Sequence, residues 1–228
     1  MSANIQEFEK TTLRERVSHA LRAAVVAGEL EPGNVYSAPE LAKRFGVSAT
    51  PVREAMLDLV REGLVATVPN KGYRVTEMAE SELDQITELR MLIEPALVAR
   101  ALAHIPDGDL PELRAMAQAI VDEAAAGDLV AYTEADRAFH LRLLGYAGND
   151  RATSLIADLR AHTRLYGLAA LSERGELEES AREHHEILDA IAGGNAGLVE
   201  KLMRTHIGHV RESWASAEPT QRKRNSSS

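Results

Sequence analysis

Residues 36 to 75, YSAPELAKRFGVSATPVREAMLDLVREGLVATVPNKGYRV, leave the backbone few options. Leu41, Ala42 and Phe45 recur at helical spacing behind Ser37, a residue able to cap them, so a helix is expected over Ala38 to Phe45. Gly46 stops it. Ser48 can then cap a second helix, from about Thr50 to Glu62, with Pro51 in the first turn, where a missing N–H costs nothing. Val52, Ala55, Met56, Leu59 and Val60 make its buried stripe and leave Ser48, Thr50 and Arg53 on the free face. After Gly63, Leu64 to Val68 and Tyr73 to Thr76 alternate as strands around Pro69, Asn70, Lys71 and Gly72. A helix, a tight turn, a second helix and a lysine-tipped hairpin are the parts of a winged helix-turn-helix. Its second helix offers N–H groups and short polar side chains to a major groove, and its wing touches the phosphate backbone or minor groove. The candidate DNA-binding residues are therefore Ser48, Thr50, Pro51, Arg53, Lys71 and Gly72.

Through GVSATPVREAM and LVREGLV this stretch resembles the reading head of the GntR superfamily of bacterial transcription regulators. Thr12 to Ala27 supplies the first helix of such a head, and GELEPGNVY the turn into the second, so the resemblance covers residues 11–76. It implies a double-stranded DNA operator as partner. Ala49 and Pro39 stand where that family often carries arginine, and Ala49 offers a methyl contact to thymine instead.

Charge divides the chain at the same place. Residues 11–76 hold nine Lys or Arg against seven Asp or Glu, whereas residues 77–214 hold thirteen against twenty-five, so the net charge of −9 comes from the second part. Local basic charge is what meets phosphates; the acids read mainly as solvated helix faces. Cysteine is absent, which excludes disulfides and thiolate ligands. MSANIQEFEKTT is polar and acidic, and no apolar run approaches bilayer length, so the expectation is a cytoplasmic protein with no membrane partner.

From Glu80 the pattern is helical throughout, with breaks at 106–108, 127–128, 148–150, 174–175 and 193–195. Six helices are expected, over about 80–104, 109–126, 128–147, 150–171, 176–192 and 196–215. Short connections imply an antiparallel bundle, so the fold class is mainly α, a winged helix-turn-helix followed by an all-helical domain over 80–215. The tail from Ala217 reads as polar and disordered.

Polar residues occupy core positions of this bundle. His184 shares a face with Leu177, Ala181, Leu188 and Ile191, while His185 falls outward with Glu178, Arg182 and Asp189. His206 lies in the stripe Val199, Leu202, Met203, Val210, with His209 at its margin. Asp136 and His140 are four apart on one face with Tyr132 and Leu143. Buried polar groups are costly unless partnered, and a divalent ion would satisfy one carboxylate and three imidazoles together. Asp136, His140, His184 and His206 are the candidate metal ligands. Mixed nitrogen and oxygen ligation suits zinc, nickel, manganese or iron alike.

DRAFH, EHHEILDAI and KLMRTHI, in that order, resemble the FCD ligand-binding domain of the FadR branch of the GntR regulators. That resemblance implies a divalent metal on the same four residues and a small effector, an organic acid, bound at its open positions. Arg90 matches a family arginine near the pocket and would clamp a carboxylate, its alternative being an ion pair with Glu94; Arg164 is a second candidate of that kind. The expectation is a homodimeric, metabolite-responsive regulator, in this family usually a repressor, and not an enzyme. Glu183 and Glu186 fall toward outer faces, which leaves no separate general base beside the four ligands. A metal-dependent hydrolase fused to a DNA reader, and a regulator with a purely structural metal, are the alternatives.

Overall fold

The computed structural model describes residues 12–163 and 168–215, and it divides after Thr76 into two compact units. The first contains α1 (Leu13–Val26), β1 (Val35–Tyr36), α2 (Ala38–Phe45), α3 (Ala49–Arg61), β2 (Val65–Val68) and β3 (Gly72–Val75). Thr12 and Ser37 each close a capping box with a glutamate three residues on, Glu15 and Glu40, which fixes where α1 and α2 begin. Gly46 ends α2 in the left-handed region. Leu21, Leu41, Val52, Met56 and Leu59 fill the core between the three helices, each burial contributing about 1.5–3 kcal/mol. Val60, expected within that stripe, is only half-buried.

Two local features differ from the expectation. Ser48 stands at the N-cap of α3 but makes no side-chain capping bond, so its exposed hydroxyl remains available. The segment read as a plain turn contributes β1, which pairs antiparallel with β3 and gives a three-stranded sheet in the order β1-β3-β2. A two-residue strand carries too little periodicity to announce itself. Its closeness explains Gly72: φ is 137°, and a Cβ there would run into the Tyr36 carbonyl oxygen.

The second unit contains α4 (Glu80–Ala101), α5 (Leu110–Ala126), α6 (Leu129–Gly145), α7 (Asp150–Thr163), α8 (Leu168–Glu173), α9 (Leu177–Ala192) and α10 (Ala196–Ala215). Short 3-10 turns at Leu102–His104 and Asp107–Asp109 join α4 to α5. Of the helix expected over 150–171, Asp150–Thr163 and the residues from Leu168 on are helical, and the stretch between them, with Arg164, lies outside the described residues. The tail from Ala217 also lies outside them.

Ion pairs set the directions. Arg114 of α5 meets Asp189 of α9, and Arg142 of α6 reaches back to Asp109 and Glu112 at the start of α5. Helices α6 and α9 thus both oppose α5 and run alike. Arg211 near the end of α10 meets Glu80 and Asp84 at the start of α4. Pro95 sits inside α4 and lacks the N–H that would bond the Met91 carbonyl; Arg204 Nη1 of α10 donates to that oxygen at 2.9 Å instead. Phe139, Leu113, Ile120, Leu143, Ile156 and Ile187 form the core around these crossings.

Candidate metal centre and DNA-reading face

Parallel α6 and α9, with α10 returning beside α9, bring three imidazoles to one level of the bundle. His140, His184 and His206 are almost fully buried, and the Asp136 side chain is 22% exposed. One ligating atom from each of the four lies within 4.8 Å of the other three. His140 Nε2 is 3.0 Å from His184 Nε2, which is 3.2 Å from Asp136 Oδ1. Phe139 closes the side of the cluster, its ring edge-on to His140 and His184.

Protons decide whether such a set suits a cation. His184 Nδ1 is 2.9 Å from the Ala181 carbonyl, an acceptor only, so it carries the hydrogen and Nε2 keeps its lone pair. His206 Nδ1 donates to Glu183 Oε2 at 2.7 Å, with the same consequence for its Nε2. Burial pushes His140 well below the usual histidine range, and the Arg160 charge pushes it further; burial also lowers His206, against the opposing pull of Glu183. Burial pushes the Asp136 carboxyl up, but the pull of His140, the contact with His184 and the Arg160 charge outweigh it and hold the group well below the carboxylate range. The Nε2 lone pairs of His184 and His206 thus lie beside the ionised carboxylate, and His140 Nδ1 has no hydrogen-bond partner among the described residues. A divalent cation fits this donor set and would act there as a Lewis acid with open positions.

One residue that sequence reasoning misplaced and one that it missed border the cluster. Glu183 was assigned outward; it is only 16% exposed and bridges His206 to the exposed His209, whose Nδ1 is 2.5 Å from Oε1. Helical spacing put it next to the buried face, where a carboxylate reaching inward looks the same as one reaching out. Arg160 was not singled out at all, although it is buried and contacts both Asp136 and Glu94. Arg90 pairs with Glu94 at 2.6 Å inside the bundle, the i,i+4 ion pair that was the other expectation for it. Burial pushes Glu94 up, but Arg160 and Arg90 outweigh it and hold its carboxyl at about 2.

On the first unit Ser48, Thr50, Arg53 and Lys71 are exposed, and Pro51 and Gly72 half-buried. Arg14 pairs with Asp58, Arg22 with Glu62 and Arg61 with Asp58. Lys43 and Arg44 of α2, Arg53 of α3, and Lys71 and Arg74 of the hairpin are exposed, and their side chains make no hydrogen bond or ion pair among the described residues. Cations left unpaired on the second helix and wing form a face suited to phosphates.

Comparison with known proteins agrees. Residues 13–75 match the bacterial regulatory proteins of the gntR family, and residues 85–209 match the FCD domain. The HTH-type transcriptional regulator McbR of Escherichia coli (strain K12) is 29% identical over 60% of this chain, a match that spans 62% of McbR's own length. A regulator encoded in an unstable DNA locus of Streptomyces ambofaciens is 30% identical over 87% of this chain and 84% of its own. The transcriptional repressor RspR of Escherichia coli (strain K12) is 26% identical over 93% of both chains. The solved structure of E. coli McbR/YncC has a TM-score of 0.63 at 25% identity, over 90% of this chain and all of that one. The chain belongs to the GntR family of transcription regulators, in the group that carries an FCD domain. These relatives are transcription regulators, not enzymes, and the hydrolase alternative finds no support among them.

Proposed function

We propose that this regulator is a repressor that binds a two-fold operator as a homodimer and whose grip on DNA responds to a small carboxylate-bearing effector at a divalent metal. Asp136, His140, His184 and His206 hold the ion, and Ser48, Thr50, Pro51, Arg53, Lys71 and Gly72 read DNA. One observation carries the metal: one nitrogen from each of three imidazoles and one carboxylate oxygen lie within 4.8 Å of one another in a buried core. One winged head offers few contacts at physiological salt, which favours two copies on a symmetric site. The repressor sign has the support of RspR, named as one. Arg164 and Arg90, the latter also paired with Glu94 through its Nε, are the proposed effector contacts.

Elemental and native mass spectrometry of the purified protein, followed by operator binding with and without the released small molecule, tests this reading. Metal at stoichiometric level and an effector-dependent change in operator affinity are expected; absence of both refutes it. The near-complete burial of the three histidines also favours a second reading, an ion that only joins α6, α9 and α10. Metal loss that leaves the effector response intact would establish that one.

A further inference from the structure

Asp136 divides its carboxylate between two environments. Oδ1 faces the imidazoles, 3.2 Å from His184 Nε2 and 3.4 Å from His140 Nε2, while Oδ2 accepts from Arg160 Nη1 at 3.0 Å. The guanidinium is 5% exposed and has little freedom to turn away. Its Nε and Nη2 donate to Glu94 Oε2 at 3.1 and 2.7 Å, and Glu94 Oε1 accepts from Arg90 Nε at 2.6 Å. Arg90, Glu94, Arg160 and Asp136 therefore alternate in sign along a chain with no net charge.

A carboxylate can give a divalent ion one oxygen or two. One whose second oxygen is held by a fixed guanidinium has one to give. We infer that Arg160 is a positioning residue that holds Asp136 to a single donor oxygen, so that the protein offers four donor atoms and the remaining coordination positions stay open to an incoming carboxylate. This role rests on the metal reading above. The guanidinium charge adds a second effect, since it opposes a cation in the site and favours an anion. A merely structural arginine would do the reverse: its loss would loosen the site and weaken metal binding.

Cobalt(II) reports coordination number through its visible absorption, and acetate serves as a free carboxylate probe. In the full-length protein loaded with cobalt(II), Arg160→Met is expected to move the spectrum toward the weaker bands of higher coordination. It should bind cobalt(II) at least as tightly as the parent and weaken acetate roughly tenfold, as loss of a nearby positive charge requires. Arg160→Lys keeps the charge without the fork, and should show the spectral change with a smaller loss of acetate affinity. Arg90→Met removes the other buried cation of the chain without touching Asp136, so it should lower stability while keeping the parental spectrum. An unchanged spectrum in both Arg160 variants, or identical changes in Arg90→Met, overturns the role of Arg160 alone. A parent protein that takes up no cobalt(II) overturns the metal reading and this role with it.

Discussion

Arg53 and Arg160 are the same residue type put to opposite uses. Arg53 stands exposed on the reading helix with no ion pair or hydrogen bond among the described residues, a cation held in reserve for an external anion. Arg160 lies buried between two carboxylates, its guanidinium nitrogens engaged inside the fold. The winged unit leaves charges unmatched on one face and pairs those between α1 and α3, whereas the helical unit matches the charges beside its histidine cluster and turns lone pairs inward. Recognition of a polyanion calls for the first arrangement, recognition of a cation for the second.

The sharpest break of this contrast is on the buried side. His184→Ala is expected to take bound metal from about one equivalent to none, because one of four donors is lost from a preformed site. His185→Ala, one residue along but on a partly exposed face, should keep it; equal metal content in the two by elemental analysis would show that the facial assignment is wrong. The same His184 variant should leave operator affinity in the absence of effector near the parental value.

Next in size is the ion chain. Glu94→Gln leaves Arg90 and Arg160 without their shared carboxylate and should cost about 3–5 kcal/mol in urea unfolding at neutral pH. Its pH dependence has a definite sign. Glu94 is held at about 2 when folded, below its ordinary 4.5, so the folded state binds fewer protons than the unfolded one between those values. The stabilisation is present above 4.5 and is lost as pH falls toward 2. Glu94→Gln should flatten that acid limb, and a parental slope in the variant would remove the carboxylate from the account.

Smaller effects belong to the reading face. Arg53→Ala should weaken operator binding by about 1–3 kcal/mol without altering stability, measured by titration at matched salt. Equal affinity would dismiss Arg53 as a contact. Arg14→Ala breaks a bond to Asp58 instead of a free cation, so a slight loss of thermal stability with little change in DNA affinity is expected. A loss of affinity matching that of Arg53→Ala would show that pairing does not separate the two sets of arginines.

How much could be read from the chain follows the same division. The reading head is built from local signals: Ser37 and Glu40 three apart, Gly46 at a left-handed stop, and an apolar stripe on α3 with its polar face left over. Each histidine of the cluster was legible for a similar reason, a polar residue at a core position of its own helix. Arg160 was not, because its meaning lies in Glu94 and Asp136, 66 and 24 residues away, and a helical arginine looks like any solvated one. Glu183 was misread because its neighbour His206 belongs to another helix. The two-residue β1 escaped for want of a pattern long enough to show a period.

Pro95 leaves α4 with a joint. A helix with an unbroken ladder resists bending because curvature must stretch its own bonds, but at Met91 the carbonyl is answered by Arg204 from α10, two residues before His206. The gap that Pro95 leaves in the α4 ladder is thus filled from the stretch of α10 that carries His206, so the two helices share one backbone hydrogen-bond account.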